Sequence, residues 1–458
     1  MKRTLALVGV LIALVFLPCS VNAQDLRSDA AATRKAALEA AVTTYRQSLR
    51  QQTLDPRSVQ WATVEINLAN ALVELGERDR GPARIEEAIK AYHEALTVFT
   101  RTRMPLYWAG TQHNLGRAIE LLGEWETELA PLEEAVAAFR GALQERSLER
   151  TPIDWAATQA GLGVALLRLG QRDGGIGRLS EAVAAFHEAL KVQTRERTPD
   201  KWAATQNNLG IALRTLGERQ ENQTLLEQAV AAYRKALKVS TRDSAPLDWA
   251  KIQNNVGIAL QRLGERTGNV TQLEEAATAF RSALQQASRD RAPLDWAQTQ
   301  ANLGAALYRI GKRYHDNARL REAAAAYREA LREQTYDRTP LQWAETQTGL
   351  GDVLVALGER NPDTVLLEDA AARYREALKV QTQERIPIDW ASTQTGLGTA
   401  LLLIGERTKN LTSVESSIEC LQRAKDVVAT SGMATWLGII NTKLAQGRAL
   451  AERQRRLP

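Results

Sequence analysis

The sequence predicts an all-α protein, an α-solenoid of tandem helix-turn-helix repeats. Tryptophans recur at a constant interval of 47 residues through eight successive units, with no insertion between them. Apolar and small residues recur at helical spacing within each unit. A fixed period of this length indicates one supersecondary unit copied in tandem, in which each copy buries its apolar surface against its neighbours. The tryptophans are Trp61, Trp108, Trp155, Trp202, Trp249, Trp296, Trp343 and Trp390.

Composition agrees with closely packed helices. Hydrophobic residues make up 44% of the chain and aromatic residues only 5%. The formal net charge is +5, and removal of the two basic residues in the first 23 positions leaves +3. So small an excess over so long a chain argues against nucleic acid as a partner.

Residues 1–23 predict a secretory signal peptide. A lysine and an arginine precede an apolar run over residues 5–17, and the small residue Ala23 suits cleavage immediately after it. We therefore expect a secreted or periplasmic protein with no stable membrane insertion after cleavage. A lipid anchor at Cys19 is the second reading. An uncleaved membrane anchor is the third, because the run is short against the roughly 20 residues that span a bilayer.

The remaining chain divides by its register with the repeat. Residues 24–36 are polar and alanine-rich, and we expect a frayed, disordered leader there. Residues 37–55 match the second half of the repeat and predict a half-repeat that caps the N-terminal end of the array. Eight full repeats occupy residues 56–430. The pattern decays over residues 431–458, which predicts a capping helix and a charged tail.

Start and stop signals divide each repeat into two helices. The first helix is expected to begin at a Thr-Pro pair such as Thr198-Pro199, with the threonine as the cap. It is expected to end in a left-handed glycine such as Gly217. The second helix is expected to begin at a capping threonine such as Thr224. A further recurring glycine, Gly210 in this repeat, lies in mid-helix and predicts a neighbouring backbone too close for a Cβ.

These residues resemble a known family. The Asn-Leu-Gly of residues 208–210, followed by Ala229, Tyr233 and Pro246, resembles the signature of the tetratricopeptide repeat. The string WAxTQxNLGxAL resembles the long-unit bacterial subgroup associated with caspase-like (CHAT) proteins. The resemblance covers roughly residues 37–452 and implies a protein-binding solenoid. The unit of 47 exceeds the ~34 residues usual for the family, so its superhelical geometry does not carry over, and no protease domain follows the array.

Catalytic chemistry is not evident in the sequence. None of the four histidines has a second ligand or a carboxylate at metal-binding or general-base spacing. Every recurring glycine is explained by capping or packing rather than by a phosphate loop. Cys420 is the one cysteine left after signal cleavage, so no internal disulfide is expected. We therefore predict a protein that is not an enzyme and needs no cofactor. The histidines are His93, His113, His187 and His315.

The resemblance implies that the first helix of each repeat lines the concave side. Positions counted from each tryptophan then select a polar, basic stripe in the central repeats and neutral or acidic residues, such as Asp352, in the later ones. Such a groove suits an extended peptide whose acidic part lies against the stripe while asparagine amides bind its backbone. An ordinary solvated surface is the alternative. The predicted partner-binding residues are His113, Arg117, Arg168, Asn207, Arg214, Lys251, Asn254, Gln261, Arg262, Tyr308 and Arg309.

Two other recurring features predict packing rather than binding. In the Thr-Gln pair, as at Thr205-Gln206, we expect the glutamine to link neighbouring repeats by hydrogen bonds. The regular tryptophans are expected to pack between repeats. Trp125 breaks the pattern and is the strongest candidate for an exposed aromatic contact.

Together these patterns predict an exported scaffold that binds a peptide or helix of a partner protein in its concave groove. One alternative is an architectural envelope protein that self-associates. A second alternative is a protein that binds a cell-wall glycan or an anionic polymer.

Overall fold

The computed structural model describes residues 23–50 and 55–456, and the regular structure in them is α-helical throughout. The predicted fold class, an all-α solenoid of tandem helix pairs, is confirmed. The predicted signal peptide falls outside the described residues except for Ala23. The described residues include no helix that is both long enough and apolar enough to span a bilayer.

The helices are α1 (Ala23–Arg50), α2 (Val59–Asp79), α3 (Pro82–Val98), α4 (Pro105–Trp125), α5 (Ala130–Ala142), α6 (Pro152–Asp173), α7 (Ile176–Leu190), α8 (Pro199–Arg219), α9 (Gln223–Ala236), α10 (Pro246–Thr267), α11 (Val270–Leu284), α12 (Pro293–Tyr314), α13 (Asn317–Ala330), α14 (Pro340–Gly358), α15 (Val365–Ala377), α16 (Pro387–Thr408), α17 (Leu411–Val428) and α18 (Ala434–Arg455).

The chain divides into two compact units, residues 1–165 and 166–458, and the division falls inside α6. In the first unit α1 packs on α2, and the hairpins α2/α3 and α4/α5 stack on each other. In the second unit five hairpins from α8/α9 to α16/α17 stack in order, and α18 packs on α16 and α17. In each hairpin the even-numbered helix is the first helix of a repeat and the odd-numbered helix is the second.

The predicted leader, residues 24–36, is helical in the structure. It forms the first part of α1, which continues through the predicted cap to Arg50. The sequence from residue 24 to residue 50 contains neither glycine nor proline, so nothing in it ends a helix that has started.

The mid-helix glycines make room for an aromatic ring of the paired helix. A Cβ on Gly210 would lie 2.6 Å from the ring of Tyr233. Tyr327 lies between two such glycines, since a Cβ on Gly304 of its own repeat would approach it to 3.0 Å and one on Gly349 of the next repeat to 2.6 Å. The predicted close backbone is therefore wrong: a buried ring, not a main chain, excludes the Cβ.

The glycines near the end of each first helix are not left-handed caps. The helix α10 continues past Gly264 to Thr267, and Gly268 is the residue with positive φ, at 68°. At the same repeat position after α12, His315 takes the left-handed conformation. A Cβ on Gly264 would lie 2.8 Å from Leu273, so the glycine admits the first apolar side chain of the second helix. Packing, not capping, explains this glycine.

The predicted caps of the first helices are half right. Proline does occupy the first turn of α8, α10, α12 and α14. Thr198 and Thr339, however, stand at the cap with ψ near 63° and make no capping hydrogen bond through their side chains. Alanine takes the same place at Ala245 and Ala292 with the same backbone angles, so the backbone rather than a hydroxyl defines this start.

The caps of the second helices lie two residues before the predicted threonines. The Asn222 Oδ1 accepts from the backbone N–H of Leu225 at 3.3 Å, and the Asn269 Oδ1 accepts from Thr271 at 3.0 Å. Asn410 caps α17 in the same way. The predicted capping role of Thr224 and of its repeat equivalents Thr271 and Thr412 is wrong, because the preceding asparagine accepts from the free N–H groups instead.

In the Thr-Gln pair, the threonine forms the hydrogen bond to the neighbouring repeat. The hydroxyl of Thr205 donates at 2.6 Å to Oε1 of Gln193, which follows the second helix of the preceding repeat. Thr346 and Gln334 repeat this contact at 2.6 Å. Among the described residues, the buried Oε1 of Gln206 accepts no hydrogen bond. The predicted linking role therefore belongs to Thr205 and not to Gln206.

The regular tryptophans pack, mainly within their own repeat. Trp249 lies against a small cluster formed by Ala250, Ala283 and Ala287. Ala283 belongs to the paired second helix, α11, and Ala287 follows the end of that helix. Trp125, predicted as an exposed contact, is half-buried at the end of α4.

Candidate partner-binding surfaces

Two of the predicted binding residues lie in the first unit, both on α4. Arg117 is exposed, pairs with Glu77 at 3.0 Å, and lines a cleft of about 420 Å³ with Asn70. His113 is half-buried and lies edge-on to Phe139, with 5.6 Å between the ring centroids. His113 thus takes part in packing beside the cleft rather than lining it.

The arginines of the predicted basic stripe form a ladder of alternating charge in the second unit. Arg214 pairs with Glu218 at 2.8 Å, and Arg262 approaches the same carboxylate at 3.4 Å. Arg262 also pairs with Glu265 at 3.1 Å, and Arg309 pairs with Glu265 at 3.1 Å. We call these five residues the charge ladder. The stripe is therefore largely neutralised by the carboxylates between its arginines, and it presents less positive charge than its arginines alone imply.

The predicted asparagines form a second ladder. The Nδ2 of Asn255 donates to Oδ1 of Asn207 at 3.1 Å, and the Nδ2 of Asn302 donates to Oδ1 of Asn254 at 3.0 Å. We call these four residues the asparagine ladder. Because the carbonyl ends of Asn207 and Asn254 are engaged in it, they offer a peptide only their N–H₂ groups.

The other predicted residues are scattered. Gln261 is buried and donates to Glu265 at 3.1 Å. Lys251 is exposed, approaches Asp295 at 3.9 Å, and lines a cleft of about 460 Å³ with Asn207. Arg168 on α6 is half-buried and engaged with other residues.

Tyr308 and Arg309 line a cleft of about 720 Å³ that contains residues from the last helices of the chain. Helices α12, α14, α15, α16 and α18 all contribute to it. We call it the C-terminal cleft. The residues that bear on its chemistry are Tyr308, Arg309, Lys312, Asp352, Tyr374, Trp436 and Lys443.

The C-terminal cleft is lined by several cations, by the half-buried carboxylate of Asp352 and by the exposed carboxylate of Glu359. Asp352 accepts a hydrogen bond of 2.7 Å from the hydroxyl of Tyr374, and burial raises the pKa of its carboxyl. In the described part of the chain, neither Lys312 nor Lys443 forms an ion pair within 4.0 Å. Burial lowers the pKa of Lys443, and Glu359 at the rim partly offsets that effect. Two lysines that form no close ion pair thus line one cavity, and Lys312 donates a hydrogen bond of 3.4 Å to the hydroxyl of Tyr308.

The sequence did not indicate three of these groups. Trp436 and Lys443 belong to α18, which the sequence predicts only as a capping helix, and Lys312 lies outside the positions chosen for the stripe. One signal was present: Trp436 lies one residue away from the 47-residue register. Trp436 packs against the same apolar cluster as Trp390 and in addition lines the cleft.

The chain was compared with known proteins. A family model described as tetratricopeptide repeat matches residues 202–244. Among solved structures, a Rap protein complexed with Competence and Sporulation Factor is 12% identical, with 86% of this chain and 99% of that chain covered and a TM-score of 0.46. The apo quorum sensor NprR from B. thuringiensis is 13% identical, with 84% and 97% covered and a TM-score of 0.45.

A third structure, the C-terminal part of a TPR repeat-containing protein from Cytophaga hutchinsonii, is 14% identical, with 66% and 95% covered and a TM-score of 0.41. None of the curated proteins compared with the sequence matches it significantly. The association with caspase-like proteins stays a prediction. The family model matches one repeat, and the same repeat recurs in register through eight units of the sequence, seven of which are packed helix pairs in the described residues. The chain is therefore a tetratricopeptide-repeat protein.

Proposed function

We propose that this protein is an exported scaffold that holds an acidic segment of a partner protein in the C-terminal cleft. The tetratricopeptide-repeat fold suggests a protein–protein interaction scaffold, and arrays of this kind are generally not enzymes. The observation that carries the proposal is that Lys312 and Lys443 line one cavity and that, among the described residues, neither forms an ion pair within 4.0 Å, although Asp352 and Glu359 line the same cavity. The contrast of the two lysines with the paired arginines of the charge ladder supports the cleft over the stripe as the binding surface.

The cleft has a size and lining that suit a peptide. Its volume of about 720 Å³ lies within the roughly 300–1,000 Å³ typical of ligand sites. Carboxylates of the segment would pair with Lys312 and Lys443, and these bonds gain from the partial burial of Lys443. Tyr308 and Trp436 offer apolar surface to side chains between those carboxylates. Asp352, fixed by Tyr374, is placed to accept a backbone N–H of the segment.

Export forms part of the proposal and rests on residues 1–23. We expect the mature chain to begin at Gln24 after cleavage behind Ala23. N-terminal sequencing and intact mass of the protein from its native host test this step. A mature chain that begins with a lipid-modified Cys19 would replace secretion with a lipid anchor, and an intact N-terminus would overturn export by cleavage.

A cross-linking capture from the native envelope tests the cleft. The wild-type mature chain is compared with Lys312→Glu/Lys443→Glu and with a charge-matched control, Lys201→Glu/Lys238→Glu, whose lysines are exposed and line none of the clefts described above. We expect the wild type and the control to capture the same partner and the cleft variant to lose it. The captured partner's acidic segment is then titrated as a synthetic peptide against all three proteins.

Circular dichroism must first show that all three proteins are equally helical. Equal affinity of the peptide for all three would remove the C-terminal cleft as the binding site. A mass that rises with concentration in all three, without a captured partner, would favour self-assembly instead.

A further inference from the structure

An ion pair between successive second helices recurs in the array. Arg84 approaches Glu39 at 3.7 Å in the first unit, and Arg319 approaches Glu274 at 3.5 Å in the second. The two pairs occupy the same repeat positions, because 84 and 319, like 39 and 274, differ by five lengths of the 47-residue unit. The pair joins the start of one second helix to the preceding second helix.

One repeat later, this pair is replaced on both sides. Leu366 stands where Arg319 stands in the preceding repeat, and Arg321 stands where Glu274 stands. The other repeats have glutamate or, once, serine at the position of Arg321, so the charge is reversed in this repeat alone. The equivalents are Glu39, Glu86, Glu133, Ser180, Glu227, Glu274, Glu368 and Glu415.

The replacement coincides with a cleft of about 320 Å³ between α13, α14 and α15. We call it the helix-two cleft. It is lined by Arg321, Arg328 and Arg360 and by Leu354, Leu357 and Leu366, and its lining includes no acidic residue. Three guanidinium groups thus surround an apolar floor.

The positive charge of the helix-two cleft is only weakly compensated. Arg328 approaches Asp369 no closer than 3.8 Å. Arg360 contacts no carboxylate within 4.0 Å in the described residues; it donates to Oδ1 of Asn317 at 2.7 Å and lies 2.9 Å from Nδ1 of His315. Arg321 is exposed and forms no ion pair with any residue that the structure describes. At the equivalent place one repeat earlier, Arg319 and Glu274 neutralise each other.

We propose that the helix-two cleft is a second docking site, for a segment of a partner protein in which a carboxylate lies beside an apolar side chain. Guanidinium groups bind carboxylates through paired N–H donors, which supplies the attraction. Leu354 is buried and Leu366 half-buried, and Val365 beside the latter is 67% exposed, so an apolar side chain has a surface to cover. The small volume admits one or two side chains rather than a folded element.

This site is distinct from the C-terminal cleft, although Arg360 lines both. The test therefore leaves Arg360 unchanged and uses the full mature chain with Lys312→Glu/Lys443→Glu, which silences the other cleft. Labelled peptides of alternating glutamate and leucine, glutamate and serine, or lysine and leucine serve as probes in fluorescence anisotropy.

The decisive variant is Arg321→Glu/Leu366→Arg, which recreates the residue pair of Arg84–Glu39 and Arg319–Glu274 and lowers the net charge by one. The matched control is Arg385→Gln, on an exposed loop residue, with the same charge change. We expect the glutamate–leucine peptide to bind the control and to lose about tenfold or more in affinity for the variant. Arg321→Ser, the residue type of the Ser180 repeat, gives the same loss should the double variant fold poorly.

Two results would overturn the proposal. Equal affinity of the glutamate–leucine peptide for the variant and the control would show that the cleft is not its site. Equal binding of the glutamate–serine peptide would show general charge attraction without the apolar floor. Neither result bears on the C-terminal cleft, because both of its lysines are replaced by glutamate in every protein in this experiment.

Discussion

The hydroxyl of Tyr374 donates a 2.7 Å hydrogen bond to the carboxylate of Asp352, and the hydroxyl of Tyr92 donates one of 2.6 Å to Oδ1 of Asn70. The two pairs occupy the same repeat positions, six units apart. In both, a ring buried between helices carries its hydroxyl to the surface of a first helix and fixes a polar side chain there. The array thus contains a charged and a neutral version of one arrangement.

We expect Tyr374→Phe to destabilise the fold by about 1.5–3 kcal/mol, because the half-buried carboxylate of Asp352 loses its donor. Tyr92→Phe is the matched control and should cost about 0.5–1.5 kcal/mol, since it removes a hydrogen bond between neutral groups. Urea denaturation measures both losses. A larger loss for Tyr92→Phe would contradict the view that the charged acceptor makes the stronger bond.

Glu65 occupies the position at which the other seven repeats have glutamine. It is 9% exposed, and burial, with Glu94 and Glu87 nearby, raises its pKa from 4.5 to about 7. Because the pKa of this carboxyl is higher in the folded state than in the unfolded state, the folded state loses stability as the pH rises from about 4.5 to about 7. Glu65→Gln should therefore change nothing at pH near 4 and stabilise the fold by about 2–3 kcal/mol above pH 7.

Urea denaturation of both proteins across this pH range checks the prediction. An equal gain for Glu65→Gln at both ends of the range would mean that the amide packs better for reasons unrelated to charge.

Gly257→Ala should destabilise the protein despite the higher helix propensity of alanine. Its Cβ would lie 2.5 Å from the ring of Phe280, so we expect a loss of about 1–3 kcal/mol from overpacking. Gly438→Ala is the control, because a Cβ there meets nothing within 4 Å, and it should gain up to about 1 kcal/mol. Thermal or urea denaturation measures both, and a gain for Gly257→Ala would show that the ring moves freely.

Thr205→Val removes the donor to Gln193 and leaves a buried amide oxygen unpaired, which should cost about 1–3 kcal/mol. Thr278→Val is the control, since that hydroxyl is exposed and bonds only its own helix at the carbonyl of Glu274; its effect should stay within about 0.5 kcal/mol. Hydrogen exchange of α8 provides a local measurement. Equal protection in both variants would show that this contact does not join the repeats.

The sequence predicted the features that follow from the constant length of the repeat and from local helix propensity. The repeat register, the helix pairing and the proline starts follow from a constant interval of 47 and from local propensity, and the structure has them. The caps were mispredicted because asparagine and threonine both suit a cap, and only the backbone shows that Asn222 rather than Thr224 reaches the free N–H groups. The role of Gly264 depends on the side chain of another helix, which no local pattern contains.

The candidate site was harder to predict because it depends on which charged side chains of different helices contact each other. One contact of the charge ladder could be predicted from the sequence. Glu218 follows Arg214 by four residues on one helix, and side chains at this spacing are neighbours. The contact from Arg262 to Glu218 crosses repeats and needs the fold. Lys443 lies in the C-terminal cleft but belongs to α18, a helix outside the repeat pattern. Its position in the fold could therefore not be predicted from its distance to a repeat tryptophan.

The asparagine ladder has a consequence for how such a gene can change. Asn207 accepts from Asn255, and Asn254 accepts from Asn302, so each contact joins the same two repeat positions. A deletion of residues 249–295 would bring Asn302 to the place of Asn255, and Asn207 would meet an identical donor. Unequal recombination that removes or duplicates the unit of residues 249–295 can therefore change the length of the array by one whole unit while the new junction keeps its hydrogen bond.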